Sequence, residues 1–152
     1  MGLISDTHGL LREEAFEALR GSQLIVHAGD VGRPEVLERL RTIAPVVAVK
    51  GNVDTAPWAA ALPATAVADA GTVLIYVLHD LNELDLSPRA AGFAVVVSGH
   101  SHKPARSERD GVLYVNPGSA GPRRFQLPVS VARLELSEHL CRVEFIELTV
   151  TK

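Results

Sequence analysis

Two histidines separated by a single residue, His100 and His102, follow a strand-like apolar run at 93–98. Because the pair lies on a loop, both imidazoles can turn toward one point. Neutral imidazole is a common ligand of zinc, manganese, iron and nickel. Two nearby loop histidines are more often solvated than metal-bound, so the pair alone does not establish a metal site. The hypothesis depends on whether other strands end in matching ligands.

Matching ligands occur at the ends of four other strand-like runs. With the histidine pair they form a set of carboxylates, imidazoles and one amide: Asp6, His8, Asp30, Asn52, His79, His100 and His102. The set is too large for one tetrahedral zinc ion and suits two divalent ions that share a carboxylate. Taken singly, the aspartates could cap a helix or turn, the asparagine could serve a turn, and His79 could be a core histidine. Those interpretations require five strands to end in ligand-type residues by accident, so the metal hypothesis is favoured.

The first third of the chain predicts the elements that position these residues. Apolar runs alternate with helical patterns in the order strand, helix, strand, helix, strand, at 2–5, 11–20, 23–28, 34–44 and 46–49. Crossovers of this kind make parallel neighbours. Since ligands bind off the carboxyl ends of strands in open α/β sheets, we expect the polar loops to converge.

The rest of the chain predicts mainly antiparallel strands. Asp110-Gly111 is a strong hairpin signal, and 55–64 has the composition of an irregular segment. One or two helical turns are expected at 87–91. The predicted strands cover 65–68, 72–78, 103–109, 112–115, 129–136 and 140–150. With no repeat or linker in view, we expect one domain over residues 1–152.

Composition limits the function classes. The net charge of −3 provides no basic field for nucleic acid or an anionic membrane. Cys141 is the only cysteine, so no intramolecular disulfide can form and a reducing compartment is indicated. The sequence has neither a membrane-length apolar run nor a signal-peptide pattern. We therefore expect a cytoplasmic protein.

The ordered motifs resemble those of a known family. The sequence Asp6-x-His8, then Gly29-Asp30, Gly51-Asn52, His79 and Gly99-His100-x-His102 is similar to the calcineurin-like metallophosphoesterase superfamily. The Gly51-Asn52-x-Asp54 form and the late Asn116-Pro117-Gly118-Ser119 resemble its small branch of phosphodiesterases, which also contains the retromer scaffold subunit. The resemblance implies an α/β fold, a sandwich of two mixed β-sheets flanked by helices.

The resemblance also implies roles for the ligand set. Asp6, His8, Asp30 and His102 would bind one ion, Asp30 would bridge, and Asn52, His79 and His100 would complete the second site. The implied reaction is attack of a metal-bridging hydroxide on a small phosphodiester. Manganese is the first choice of metal, with iron, nickel, cobalt and zinc also fitting these ligands. The candidate catalytic residues are Asn52, His100 and Asp54.

Some positions depart from the family pattern or leave alternatives open. Many relatives carry a proton-donating histidine where this chain has Val53, which cannot transfer a proton. Asp80 could hydrogen-bond a ligand histidine or face solvent. Asp54 could orient a ligand histidine or bond its own turn. Arg123-Arg124 could approach an anionic substrate, although a solvated pair is the commoner case.

Two functions follow from these features. The first is a metal-dependent phosphodiesterase acting on a small phosphoester, and the complete ligand set favours it. The second is a catalytically weak or inactive protein-binding scaffold of the retromer-subunit type, and Val53 favours it. The protein could form a homo-oligomer. His27 and His139 lie outside the strand-end loops, and we interpret both as structural.

Overall fold

The computed structural model describes residues 1–71, 73–137 and 140–150, and in this part of the chain ten strands form two five-stranded sheets. The first sheet contains β1 (Gly2–Ile4), β2 (Ile25–His27), β3 (Val46–Ala48), β9 (Ser130–Ser137) and β10 (Leu140–Glu147), in the order β10-β9-β1-β2-β3. The second contains β4 (Thr65–Asp69), β5 (Leu74–Leu78), β6 (Phe93–Val97), β7 (Ala105–Arg109) and β8 (Val112–Asn116), in the order β4-β5-β6-β8-β7. Both sheets mix parallel and antiparallel pairs, which confirms the predicted fold class.

The apolar alternation of the strands divides their side chains between two layers. Leu3 and Val26 join Val97 of the other sheet in the core between the sheets. Their neighbours Ile4 and Ile25 lie in a second cluster on the opposite face of the first sheet. One short apolar strand therefore serves two cores at once, which explains why β1 is apolar without interruption.

Two short helices cover the outer face of the first sheet. They are α1 (Glu13–Leu19) and α2 (Pro34–Leu40), and their buried Leu19 and Leu40 pack in the same cluster as Ile4. Both are shorter than predicted, because α1 begins only at Glu13 and because turns replace the last predicted residues before Gly21 and Pro45. No helix in the described part of the chain is long and apolar enough to span a membrane.

The structure corrects some of the local predictions. The segment 55–64 is not wholly irregular, because a 3₁₀ helix forms at Pro57–Ala61. Residues 87–91 form one helical turn, closed by Ala91 N donating to Ser87 O at 3.0 Å, which agrees with the one or two turns expected there. The strands β5, β6 and β8 are parallel neighbours, so the second sheet is less antiparallel than expected. Thr72, where a strand was predicted to begin, and His139 lie outside the described residues.

The predicted hairpin at Asp110-Gly111 is confirmed. The β7–β8 turn places Asp110 and Gly111 at φ 53° and 77°, the left-handed pair that a type I′ turn requires. The strands β9 and β10 pair antiparallel along their full described length. The turn chemistry of Asp110-Gly111 was therefore sufficient to predict the β7–β8 connection.

We expect Leu3→Ala to cost about 3 kcal/mol of unfolding free energy, because it opens a cavity in the core between the sheets. Leu3 is fully buried. Leu10→Ala is the matched control, since Leu10 is 40% exposed, and it should change stability by less than about 0.5 kcal/mol. Urea denaturation followed by circular dichroism measures both. Equal effects of the two variants would contradict this assignment of the core.

Candidate metal centre

The loops that follow β1, β2, β5 and β6 meet at one end of the sandwich. Asp6 N donates to Gly29 O at 3.0 Å, which joins the loops after β1 and β2. Gly99 N donates to His79 O at 2.9 Å, which joins the loops after β6 and β5. His100 N donates to Asp6 Oδ2 at 3.1 Å and links the two sheets. The predicted convergence of the strand ends is therefore built from backbone contacts.

Five of the seven predicted ligands share an unusual backbone conformation. Their φ angles lie between 48° and 72°, in the left-handed region that non-glycine residues rarely adopt. Each such residue costs roughly 1–2 kcal/mol. They are Asp6, His8, Asp30, His100 and His102. Strain of this kind persists where the surrounding structure imposes it, and it clusters at functional sites.

The glycines of the motifs allow the loops to approach one another closely. A Cβ atom on Gly51 would lie 2.2 Å from both N and Oδ1 of Asp30. A Cβ atom on Gly99 would lie 2.0 Å from Ser5 Oγ and 2.7 Å from Asp6 Oδ2. Any side chain at either position would displace a predicted ligand, which explains the Gly-Asn and Gly-His pairs physically.

One group of ligand atoms contains Asp6, His8 and His102. Asp6 Oδ1 lies 3.4 Å from His102 Nε2 and 3.9 Å from His8 Nε2. The two Nε2 atoms are 3.4 Å apart. Ligands that share an ion at about 2.0–2.2 Å are separated by roughly 3–4 Å. These three side chains therefore have the spacing of ligands to one ion.

A second group contains Asp6, Asp30 and His79. Asp30 Oδ2 lies 3.2 Å from His79 Nε2 and 3.7 Å from His8 Nε2, so it stands between histidines of the two groups. That position suits the bridging role expected for Asp30. Asp6 Oδ1, at 4.0 Å from His79 Nε2, also belongs to both groups. The sequence did not predict this second shared carboxylate.

Unpaired buried atoms test whether the donors fit a cation. His79 Nδ1 donates to Ala28 O at 2.7 Å, which leaves Nε2 as an acceptor facing Asp30 Oδ2. Two acceptors at 3.2 Å repel unless a proton or a cation lies between them. Among the described residues, the buried atoms without a hydrogen-bond partner are Asp6 Oδ1, His79 Nε2 and His102 Nδ1. Asp6 Oδ1 and His79 Nε2 both face the cluster, and the donor set fits divalent ions.

The pKa values of the cluster reflect burial and crowding. Burial raises the pKa of Asp6 to about 6, although the Ser5 hydroxyl hydrogen bond opposes the shift. Burial opposes ionisation of Asp30 too, but the His79 imidazole at 3.2 Å and the hydrogen bond from Val53 N hold the pKa of Asp30 well below its usual range. The pKa of His79 rises to about 8, because the contacts with Asp30 and the Ala28 carbonyl outweigh burial. Burial lowers the pKa of His102 to about 4 and also lowers that of His8.

Two predicted ligands lie on the open side of the centre. The His100 side chain is 43% exposed, and its ring meets the His79 ring edge-on with centroids 5.2 Å apart. Asn52 is exposed on the turn that follows β3. The distances that define the two ligand groups involve neither residue. The structure therefore gathers Asp6, His8, Asp30, His79 and His102 tightly and leaves His100 and Asn52 toward solvent.

Asp80 and Asp54 both accept hydrogen bonds from backbone amides, and for Asp54 one of these lies within its own turn, as one of the two alternatives expected. Asp80 Oδ2 is 3.9 Å from His100 Nε2, beyond hydrogen-bond distance, while Oδ1 accepts from Asn82 N at 3.0 Å. Asp54 is buried and accepts from three backbone amides, those of Val31, Gly32 and Gly51. The expectation that Asp54 orients a histidine finds no contact in the described residues. Asp54 instead ties the loop after β3 to the loop that carries Asp30.

His27 takes part in a buried network that the sequence did not reveal. Its Nδ1 accepts from Gly29 N at 3.1 Å. Its Nε2 therefore carries the proton and donates to Thr7 Oγ1 at 3.0 Å, and Thr7 donates to Val31 O at 2.8 Å. Burial lowers the pKa of His27 to about 4, so the ring is neutral. The network fixes the backbone on both sides of Asp30 and between Asp6 and His8, which makes His27 the structural residue expected.

The Asn116 turn braces the histidine loop. Asn116 Nδ2 donates to Gly99 O at 2.9 Å and to Ser101 Oγ at 3.0 Å. Ser119 Oγ donates to Asp6 O at 3.0 Å. The late Asn-Pro-Gly-Ser motif thus holds loops from both sheets. Apart from the family resemblance, the sequence contains no pattern that predicts these contacts of Asn116 and Ser119.

Comparisons with known proteins find relatives over most of the chain. Residues 1–139 match the model of the calcineurin-like phosphoesterase superfamily domain. A probable metallophosphoesterase of Methanothermobacter thermautotrophicus is 32% identical over 89% of this chain and 86% of its own length. A novel archaeal phosphodiesterase has a similar structure, with a TM-score of 0.78 at 20% identity over 95% of this chain and 98% of the other. A Vps29 single mutant from Entamoeba histolytica also has a similar structure, with a TM-score of 0.74 at 23% identity over 98% of this chain and 100% of the other. These two structures show the shared fold.

We expect the protein to bind two divalent ions per chain, and Asp30→Ala to lose both, because Asp30 Oδ2 stands between the two groups. Metal content after reconstitution and dialysis, measured by mass spectrometry, checks this. Asp85→Ala is the control, since Asp85 is exposed outside the cluster. Two tightly held ions in Asp30→Ala would refute the bridging assignment.

Ion binding should weaken as the pH falls. Ligation requires deprotonated His79 and Asp6, whose pKa values in the metal-free protein are raised to about 8 and about 6. Binding should therefore release about one proton between pH 8 and 6 and about two below pH 6, with affinity falling correspondingly. Calorimetry in buffers of different ionisation enthalpy measures this release. An affinity independent of pH between 5 and 8 would contradict it.

Proposed function

This chain belongs to the calcineurin-like phosphoesterase superfamily, and from that premise we propose that it is a phosphodiesterase that hydrolyses small phosphodiesters. Two divalent ions, manganese first among them, are its proposed cofactors. The observation that carries the proposal is the pair of buried acceptors, Asp6 Oδ1 and His79 Nε2, unpaired within the described residues and facing the cluster. A buried arrangement of this kind needs positive charge, from bound protons or metal ions, for its stability.

Two divalent ions, when bound, supply the Lewis acidity that makes water nucleophilic and offsets charge on phosphoryl oxygens. The chain's own residues prepare their site. Ser5 Oγ donates to Asp6 Oδ2 at 2.6 Å, which fixes the carboxylate and leaves Oδ1 for ligation. The Ala28 carbonyl orients the His79 ring in the same way. Preorganised ligands avoid the cost of ordering these side chains at the moment of binding.

The candidate catalytic residues fall into two classes in this proposal. His100 and Asn52 lie toward solvent, where a substrate can reach them, and they complete the second ion site. Asp54 acts at a distance, because its oxygens hold the backbone of Val31 and Gly51 rather than facing the cluster. We therefore assign Asp54 a positioning role.

Val53 determines whether this position can protonate the leaving group. Its backbone N–H donates to Asp30 Oδ1 at 3.0 Å, so the residue lies beside the cluster, and its side chain is 47% exposed. Valine cannot donate a proton to a departing alkoxide. A positioned proton donor is worth roughly 10²–10⁴-fold for such a leaving group. Aryl oxides need this help far less.

Activity should therefore fall steeply as the pKa of the leaving group rises. Aryl phosphodiesters should be hydrolysed readily and simple alkyl diesters slowly, and Val53→His should flatten the dependence. The measurement is kcat/KM over a series of aryl and alkyl diesters with manganese, iron, nickel, cobalt or zinc added back. Val67→His is the control, because Val67 is similarly exposed, at 51%, on β4. A flat dependence in the wild type, with chemistry rate-limiting, would mean that another residue donates the proton.

The alternative is a catalytically weak or inactive scaffold of the retromer-subunit type. The fold shared with Vps29 is consistent with it. Failure to hydrolyse any ester with both ions bound would favour the scaffold over the enzyme. The same experiment thus separates the two functions.

The substrate class, the cellular location and the partners are proposed from the sequence. We propose a small phosphoester as substrate, a cytoplasmic location and no nucleic-acid or membrane partner. A homo-oligomer stays a prediction.

A further inference from the structure

A cavity of about 250 Å³ opens beside His100. Its walls come from the 3₁₀ helix at Leu81–Glu83, from the loop that carries His100 and from the paired strands β7 and β8. His100 is one of the predicted ligands, and its ring meets that of the buried His79 with centroids 5.2 Å apart. The cavity therefore adjoins the candidate metal centre, because the His100 side chain belongs to both.

The cavity extends along the outer face of the second sheet. Tyr114 lines it and packs in a cluster separate from the core between the sheets, to which its neighbours Leu113 and Val115 belong. Alternation along β8 therefore directs the Tyr114 ring outward. Asn116 lines the same cavity two residues further on, and its side chain braces the His100 loop. The cavity thus runs from the His100 loop to Tyr114, over roughly 7 Å of strand.

Arg109 provides a positive charge at the Tyr114 end of the cavity. Its Cζ atom lies 5.0 Å from the centroid of the Tyr114 ring, a cation–π contact between diagonal neighbours on the paired strands. Among the described residues that line the cavity, Arg109 carries the only permanent positive charge. The arginine ion pairs found in the described part of the chain involve Arg20 and Arg39. The charge of Arg109 therefore has no carboxylate partner there.

Asp80 gives the other end of the cavity the opposite charge. It lines the cavity, and its Oδ2 atom lies 3.9 Å from His100 Nε2. A negative group inside the cavity is therefore repelled from the His100 end and attracted to Arg109. The volume also limits the occupant. Pockets for whole drug-sized ligands typically hold about 300–1,000 Å³, so this smaller cavity suits one part of a ligand, such as one ester group of a phosphodiester.

We propose that this cavity binds one ester group of the substrate and that Arg109 selects ester groups that end in a second anion, a carboxylate or a phosphate. Tyr114 is a positioning residue, because its ring holds the guanidinium at the cavity. The inference rests on the proposed function for placing a phosphoryl group at the metal centre. A guanidinium binds either anion through directed charge-assisted hydrogen bonds. The favoured substrate class is therefore a phosphodiester with a charged ester group.

Phosphonates measure the cavity by binding alone, because they carry no leaving group. Benzylphosphonate is the neutral-ended ligand, and the same frame carries a second anion in 4-(phosphonomethyl)benzoate and in 1,4-xylylenediphosphonate. The ring separates the two charged groups by about 7 Å, similar to the length of strand from Asn116 to Tyr114. A comparison of 6-phosphonohexanoate with hexylphosphonate repeats the measurement with a longer, flexible chain.

The Kd values are measured by calorimetry on the manganese-loaded protein. We expect a second anion, carboxylate or phosphonate, to tighten binding about 5–10-fold, between the effects of an exposed ion pair and of a hydrogen bond between charged groups. Raising the salt concentration should reduce this preference, because the cavity is open to solvent. A wild type in which no second anion tightens binding, or in which the charged ligands do not bind measurably, would overturn the proposal.

Two arginines on β7 provide a matched pair of variants. Arg109→Gln should reduce the preference to about 1, and Arg109→Lys should keep part of it, because the charge remains without the planar fork. Arg106 is exposed on the opposite face of the same strand and does not line the cavity. Arg106→Gln changes the net charge equally and should leave the preference as it is. Equal effects of the two glutamine variants would overturn the role of Arg109.

Variants of Tyr114 test how the guanidinium is held. Tyr114→Phe keeps the ring and should keep the preference, whereas Tyr114→Leu should lower it about 2–3-fold, the scale of an exposed cation–π contact. Thermal unfolding of both variants checks that the fold persists. Loss of the preference in a folded Tyr114→Phe would show that the hydroxyl, and not the ring, is required, which contradicts the positioning role.

The binding data and the hydrolysis data separate the two proposals. If the wild type hydrolyses no ester yet shows a preference that depends on Arg109, the proposed function fails and the assignment of this cavity stands. Hydrolysis of phosphodiesters without any such preference gives the reverse result.

Discussion

The structure depends on the packing of acceptor atoms at one end of the sandwich. Asp30 Oδ2 and His79 Nε2 lie 3.2 Å apart, and Asp6 Oδ1 lies 3.4 Å from His102 Nε2, all within a largely buried cluster. Carboxylate and imidazole lone pairs repel at such distances in a low dielectric. A cation between them turns each repulsive contact into a ligand bond. The site is therefore assembled in a form that only positive charge, from protons or metal ions, makes stable.

Holding these atoms together requires a rigid frame. The left-handed residues at the strand ends destabilise the fold. Packing of short apolar strands such as β1 into the cores on both faces of the first sheet offsets this loss of free energy. Buried polar groups then fix the loops individually. His27 and Thr7 hold the loops after β1 and β2, and Asp54 holds the loop after β3. None of these residues needs to touch an ion to affect its binding.

The site is asymmetric, and the asymmetry has a functional consequence. His102 and Asp6 are buried, whereas His100 and Asn52 lie toward solvent. A closed group of ligands favours retention of an ion, while an open side leaves room for substrate. Val53 N, bonded to Asp30, adds no titratable group on this side. In the proposed reaction, the leaving group would therefore receive no proton from Val53.

The sequence by itself determined the strands, the hairpin turns and the ordered ligand set. These features are local, because they depend on alternation of apolar residues, on turn residues such as Asp110-Gly111 and on polar residues at strand ends. The tertiary structure decided which strands are neighbours, as in the parallel β5-β6-β8 arrangement. It also decided that Asp6 belongs to both ligand groups and that Asp54 binds backbone amides instead of a histidine. Such contacts join residues far apart in the chain, and their partners are set by through-space distance, which no local pattern encodes.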